Sequence, residues 1–402
     1  MKIAIINMYA KMGSTGSIAY RLGSYFRERG HETFMIYGRE NKIKDYPSSL
    51  HNQSKLEEKL HGVLSKLTGL QGYFSDFGTT RMFKALDRFK PDAVVLINIH
   101  SGYLHEARLW KYLAERKLKT VYILADEYAM LGNCCFAYEC TEYETGCKKC
   151  SDIHRYPDSL FFDVAGKVVQ MKKKAYDAMG DLLTFVAPNI NIQKAKKSYL
   201  LKDRKLEIAN WGISPTQYAP TDPELARKEF SLPQGKRVIL SVASFIDPRK
   251  GISTHFLACA KNTKETDLLF VNVGYDGNET LPDNFVGIPY VKDKKLLASL
   301  VTLADLVVMP SRGETLPVTC LISLSCGTPL CLFDSWGGLA IGEGEHLKLV
   351  EAENTEKLLS VIEQTEKKTE HIETICKNYV RQNFDEDAFY ERILCLTLGG
   401  DE

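Results

Sequence analysis

Long apolar runs are missing from this 402-residue chain. The longest, such as 93–97 and 303–309, the latter interrupted by Asp305, fall far short of the ~20 residues that a bilayer-spanning helix needs. Charge of one sign is missing too: 52 Lys plus Arg stand against 51 Asp plus Glu, a net charge of +1. That balance excludes a dedicated nucleic-acid binder, which carries a basic excess. There is no internal repeat and no low-complexity segment. After Met1-Lys2 the chain runs straight into Ile-Ala-Ile-Ile, without the apolar stretch and small-residue cleavage site of a secretion signal. Its start predicts a buried first strand of a cytosolic protein.

What is present is ordinary for a globular protein, 44% apolar and 26% charged. The length exceeds one core and favours two domains of roughly 200 residues each. In the first half, apolar strands at 3–7, 33–37, 91–97, 120–124, 183–187 and 206–209 alternate with helical periodicity at 13–30, 54–67, 79–89, 104–116, 164–179 and 190–201. Tyr218-Ala-Pro-Thr-Asp-Pro reads as a linker, after which the alternation restarts with a strand at 238–243. This pattern predicts two α/β domains with parallel sheets. Their expected bounds are 1–217, with a Cys-rich loop at 132–150, and 218–375. A helical tail at 376–402 is expected to pack back on the first domain. Two doubly wound Rossmann-like domains facing across a cleft would bind ligands where their strand ends meet.

The most informative stretch is Met309-Pro-Ser-Arg-Gly-Glu-Thr-Leu-Pro-Val-Thr319, followed by Ser325-Cys-Gly-Thr-Pro329. A strand ends in a polar turn and a helix is predicted to start at Pro317, where proline suits the first turn. The unsatisfied amides there form a seat for a diphosphate, and Glu314 just before them can accept from sugar hydroxyls. A capped helix with an exposed Glu is the plainer alternative. The order P-S-x-x-E-x-L-P, S-C-G-T-P and a strand ending F-D resembles the donor site of GT-B glycosyltransferases, specifically glycosyltransferase family 4. Asn210-Trp-Gly-Ile213 with Tyr218 and Pro220, Ala243-Ser-Phe-Ile-Asp-Pro-Arg-Lys-Gly251, and Asp334 with Gly337-Gly338 are similar to further family passages. Asn98-Ile-His-Ser-Gly-Tyr103 and Gly146-Cys-Lys-Lys-Cys150 resemble the branch that builds capsular and other surface polysaccharides.

The resemblance implies a GT-B fold and sugar transfer, with retention, from a nucleotide-sugar donor to a saccharide or lipid-linked saccharide acceptor. It implies Glu314, Lys250 and Asp126 as catalytic groups, and Arg249, Ser244, Thr315, Leu316 and Pro317 as donor contacts. Gly13, Ser14, Thr15 and Gly16 would approach acceptor or phosphate, although an ordinary strand-to-helix turn reads nearly as well. His100 lies at a strand end, as a cleft or a structural histidine. No cofactor is required for catalysis on this reading, because Lys250, Arg249 and the helix start would neutralise the leaving diphosphate. The expected location is cytoplasmic, peripheral on the inner face of the membrane.

Three positions depart from the family. Ile322 stands where a Glu holds the nucleotide ribose, at a place expected to reach the cleft. Ala125 replaces a His beside Asp126, and Ser244 replaces an Arg on the phosphates. These departures keep a second class open, a non-catalytic GT-B subunit that binds saccharide or a partner enzyme. Separately, Cys134, Cys140, Cys147 and Cys150 have the spacing C-x5-C-x6-C-x2-C. That spacing suits a structural zinc, with His154 as a substitute ligand, and equally suits free thiols. Lys172–Lys174 and Lys194, Lys196, Lys197, Lys202, Arg204 and Lys205 form basic clusters, read as solvated faces or as attraction to anionic lipid.

Overall fold

The computed structural model describes residues 1–400, the side chain at 336 excepted. The chain divides into two compact units, Met1–Ala209 together with the chain from Tyr390 onward, and Asn210–Phe389.

Unit 1 holds a seven-stranded sheet of β1 (Lys2–Asn7), β2 (Glu32–Tyr37), β3 (Ser49–His51), β4 (Ala93–Leu96), β5 (Lys119–Ile123), β6 (Leu183–Ala187) and β7 (Lys205–Ile208). Their order is β3-β2-β1-β4-β5-β6-β7, every pairing parallel. The connecting helices are α1 (Gly13–Glu28), α2 (Lys55–Thr68), α3 (Asp76–Phe89), α4 (Glu106–Glu115), α5 (Ala165–Met179) and α6 (Asn189–Ala195). The central strands are buried on both faces because helices cover both, which is why β1 and β4 read as unbroken apolar runs. The order reverses between β1 and β4, where Asn98 N donates to Asn7 Oδ1 at 3.1 Å. Such a switch point is where open α/β sheets bind ligands.

Unit 2 holds α7 (Pro223–Glu229), β8 (Arg237–Val242), α8 (Leu257–Asn262), β9 (Leu268–Val273), β10 (Phe285–Ile288), α9 (Lys294–Leu303), β11 (Leu306–Met309), α10 (Val318–Ser325), β12 (Leu330–Phe333), α11 (Trp336–Leu339), β13 (Leu347–Val350), α12 (Thr355–Glu363) and α13 (Glu370–Asn383). The parallel sheet runs β10-β9-β8-β11-β12-β13, with its switch point between β8 and β11. The last helix is α14 (Glu386–Leu398).

The division falls at 209/210 and not at 217/218, because 210–217 is bound into unit 2. Trp211 Nε1 donates to the Leu316 carbonyl at 2.9 Å, and Ile213 N to the Phe384 carbonyl at 3.1 Å. The expected linker is likewise tied down: Ser325 Oγ donates to the Tyr218 carbonyl at 2.6 Å. Of the expected tail, 376–389 belongs to unit 2. From Tyr390 onward it belongs to unit 1, where Tyr25 OH donates to Glu391 Oε2 at 2.6 Å. Residues 401 and 402 lie outside the described residues.

Candidate functional site

Two loops beyond the switch-point strands of unit 2 converge. After β8, Asp247 accepts from Arg249 N at 2.9 Å and starts a single 3-10 turn at Pro248–Lys250. Gly251 ends that turn at φ +68, and a Cβ there would collide with the Pro310 carbonyl, so the chain can pass β11 only as glycine. After β11 comes Glu314, whose Oε1 accepts from Lys250 Nζ and, at 3.5 Å, from Arg249 Nη1. Arg249 Nη1 also donates to the Gly313 carbonyl at 3.2 Å. All three side chains remain within reach of solvent, Glu314 13%, Lys250 21% and Arg249 28% exposed. The Gly337 backbone lies so close that a Cβ would strike Glu314. Arg249 Nη2 also donates to Asp247 Oδ2 at 3.2 Å, so two cations and two carboxylates share this part-buried cluster.

The helix start is displaced by one residue from expectation: Pro317 is the N-cap, and α10 begins at Val318. Thr315, Leu316 and Pro317 are buried at this entrance. Ser311, in the same turn, has a buried hydroxyl without a hydrogen-bond partner. Ser244 does not point at a free phosphate seat. Its Oγ donates to Asp276 Oδ2 at 2.8 Å, while Asp276 Oδ1 accepts from Phe245 N and Ile246 N. Burial raises the Asp276 pKa, but these donors outweigh it and hold the carboxyl below its usual value. Ile322, expected to reach outward, is 6% exposed. The run 320–325 of α10 is buried throughout, so this short helix has no outer face along that run. Asp276 escaped the sequence reading, since it acts through contacts distant in the chain.

In unit 1 the loops after β4 and β5 bring His100 and Asp126 together. His100 Nε2 lies 2.6 Å from Asp126 Oδ2, and its Nδ1 lies 2.6 Å from Ser101 Oγ. Asp126 Oδ1 accepts from Tyr128 N at 2.9 Å. Burial raises the Asp126 pKa, yet His100 and the Tyr128 amide together hold it below the ordinary carboxylate value. Cys135 joins them, its Sγ 3.5 Å from His100 Nε2. Ligand atoms of His100, Asp126 and Cys135 all lie within 4.8 Å of one another, the one such group among the described residues. Both ring nitrogens of His100 are already partnered, which makes the group a hydrogen-bonded cluster. The Gly13–Gly16 turn opens α1 with Gly13 at φ +69. Just before it, Glu40 Oε2 accepts from Ala10 N and Lys11 N, both at 2.9 Å. This small anion seat is filled by the chain itself.

Residues 236–367 match the profile of the family "Glycosyl transferases group 1". The chain carries a group 1 glycosyl transferase domain. Over most of its length it is similar to the Escherichia coli K12 protein named "Putative colanic acid biosynthesis glycosyl transferase WcaC": 23% identity, covering 89% of this chain and 91% of that one. Among solved structures it resembles sucrose-phosphate synthase of Thermosynechococcus elongatus, with TM-score 0.72, 16% identity and 98% of each chain covered. It also resembles Anabaena HepE in complex with UDP, with TM-score 0.66, 13% identity and 98% of each chain covered. The fold is GT-B.

Outside this transferase domain, Cys134, Cys140, Cys147 and Cys150 line one hollow of about 40 Å³ in unit 1; His154 does not line it. The fifth cysteine of the window, Cys135, instead serves the His100 cluster. Burial pushes the Cys134 thiol up to about 12 and Cys147 to about 11, while the Lys172 ammonium pulls both down. Lys172 is buried and donates to the carbonyls of Tyr128, Leu131 and Gly132 at 2.6, 3.1 and 3.0 Å. Lys194 is also buried, 2.6 Å from Glu127 Oε1, and Arg204 binds Asp177. Lys172 and Lys194 thus leave their clusters to hold the Cys-rich loop in place, whereas Lys174, Lys196, Lys197, Lys202 and Lys205 are exposed, as the reading as solvated faces expects.

Proposed function

We propose that the protein transfers a sugar, with retention, from a nucleoside-diphosphate donor to a lipid-linked saccharide in surface-polysaccharide assembly, at the cytoplasmic face of the membrane. One observation carries the reading: Glu314, Lys250 and Arg249 meet at the switch point of the group 1 domain. As the glycosidic bond breaks, the departing diphosphate gains negative charge that Lys250 and Arg249 neutralise in a part-buried site. Glu314, released from Lys250 by the incoming phosphates, then accepts from the sugar hydroxyls. The unpartnered Ser311 hydroxyl gives the donor one further polar contact. His100 and Asp126 present the acceptor hydroxyl in unit 1. HepE, solved with UDP, and WcaC, named for colanic acid biosynthesis, support the donor class and the product class.

The commitment of Ser244 to Asp276 and the burial of Ile322 favour a second reading, a GT-B subunit that has given up donor binding. Calorimetric titration with a panel of UDP-, GDP- and TDP-sugars separates the two. Saturable binding of one donor, weakened in Lys250→Ala, is expected; no heat with any of them would leave only the subunit.

We also propose that the four cysteines around the hollow hold a structural zinc. No three of these sulfurs lie within 4.8 Å of one another, so they would draw together on the metal into a closed tetrahedral site, and Lys172 nearby would offset the excess negative charge of four thiolates. Protein purified without chelator should contain about one zinc per chain. Cys147→Ser with Cys150→Ser should release it and loosen 132–165 to proteolysis. Metal-free wild type with the same protease resistance would refute the clamp.

A further inference from the structure

Helix α2 is amphipathic with its polar side inward. His61 and Ser65 are its buried residues, whereas Leu56, Leu60, Val63 and Leu67 are 78%, 55%, 57% and 41% exposed. Those four recur at i, i+4, i+7 and i+11 and so form one outward stripe. The helix cannot roll to hide them. His61 Nδ1 is 2.6 Å from Ser75 Oγ, and its Nε2 accepts from Gly72 N at 3.3 Å. Burial drops its pKa to about 4, which keeps the ring neutral in that role. Turning the stripe inward would break these buried hydrogen bonds.

The apolar surface continues at both ends of the helix. Leu160 N donates to the Lys66 carbonyl at 2.9 Å, which sets the exposed Phe161 and Phe162 beside the C-terminal end. Gly78 N donates to Glu57 Oε1 at 2.9 Å, which sets Phe77, 86% exposed, by the N-terminal half. Charge is sorted as well. Lys55, Lys59 and Lys66 project along one flank of the stripe. Lys66 reaches Asp158 at 3.1 Å, while Lys55 and Lys59 are in no ion pair among the described residues. The carboxylates of α2 are drawn off to protein partners, Glu57 to Gly78 N and Glu58 to Arg39 at 3.4 Å.

An apolar stripe with aromatics at its ends and a lysine flank, in which Lys55 and Lys59 are in no ion pair among the described residues, matches an interfacial helix on an anionic bilayer. We propose that α2 and residues 160–162 dock unit 1 on anionic lipid, with the leucines and phenylalanines at the acyl boundary and the lysines among the headgroup phosphates. The proposal gives the peripheral location a contact face and rests on that location for lipid as the occupant; sugar transfer does not enter its test. Full-length protein is sedimented with vesicles of phosphatidylcholine alone, or of equal parts phosphatidylcholine and phosphatidylglycerol. Binding to the anionic vesicles should be at least about tenfold tighter and should weaken with salt. Leu60→Glu with Val63→Glu should abolish it, and Lys55→Glu with Lys59→Glu should remove the preference for phosphatidylglycerol. Both pairs change exposed positions, so melting temperature and donor binding should stay at wild-type values. Failure of wild type to bind, or equal binding by the Leu60→Glu, Val63→Glu variant, overturns the proposal. So does the finding that this variant instead turns a self-associated protein into a monomer, which would assign the face to a second copy.

Discussion

Glu314→Ala and Lys250→Ala are each expected to lower kcat/KM for sugar transfer by about 10²–10³-fold, in protein that stays folded. The size follows from where these groups sit. Both are part-buried, and each keeps the other's charge neutral through a direct contact. Without Lys250, the carboxylate of Glu314 faces the incoming diphosphate with only the longer Arg249 contact at 3.5 Å. Donor affinity should then fall together with turnover. Without Glu314, the two cations still take the diphosphate, while the sugar loses an acceptor; turnover should fall more than affinity. The double substitution should cost less than the product of the singles, since the groups share one network. Circular dichroism and melting temperature check folding. Wild-type turnover in either single variant would remove both residues from the site.

The parts of this arrangement differ in how far sequence reveals them. Parallel-sheet architecture is legible because strands buried on both faces, such as Ala93–Leu96, have to be apolar without interruption. Glu314 is legible from its place between a buried strand and a helix start, whereas Lys250 is legible only through the resemblance of its Arg-Lys-Gly segment to the family. Their pairing is not, because the two positions lie 64 residues apart in the chain. Short edge strands such as Ser49–His51 and Phe285–Ile288 carry too few residues for a period to register. The periodicity of 54–67 marks an apolar stripe but does not say which way it faces. In α2 the buried histidine, bonded to Ser75 and Gly72, turns the stripe outward. Ile322 fails for the opposite reason. In Val318–Ser325 nearly every residue is apolar or small, so no face is distinguished in the sequence, and from Cys320 to Ser325 every residue is buried. A charged side chain at 322 would have to enter packed surroundings. The adjacent Cys134 and Cys135 serve different structures, one the hollow and the other the His100 cluster, and spacing alone cannot divide them.

Breaking the Lys194–Glu127 pair should produce the largest loss of stability among single polar substitutions in unit 1. The two side chains are 1% and 3% exposed, with Nζ and Oε1 2.6 Å apart. Glu127 Oε2 also accepts from Ala137 N at 2.7 Å, and Glu127 N donates to the Cys135 carbonyl at 2.9 Å. One carboxylate thus fastens α6 to the turn that carries Asp126 and Cys135. Lys194→Ala leaves that carboxylate buried without its cation, a defect that costs about 3–5 kcal/mol. For a unit of this size the melting temperature should fall on the order of 10 °C. Lys194→Met with Glu127→Gln removes both charges, keeps similar volumes and leaves an acceptor for Ala137 N. It should therefore regain most of the loss. Function should follow position and not stability alone: below its melting temperature, Lys194→Ala should show a raised acceptor KM with donor KM unchanged, because Asp126 adjoins Glu127 while Glu314, Lys250 and Arg249, the proposed donor groups, lie in unit 2. An equal rise in both constants would mean that the pair supports folding alone and does not set the Asp126 turn.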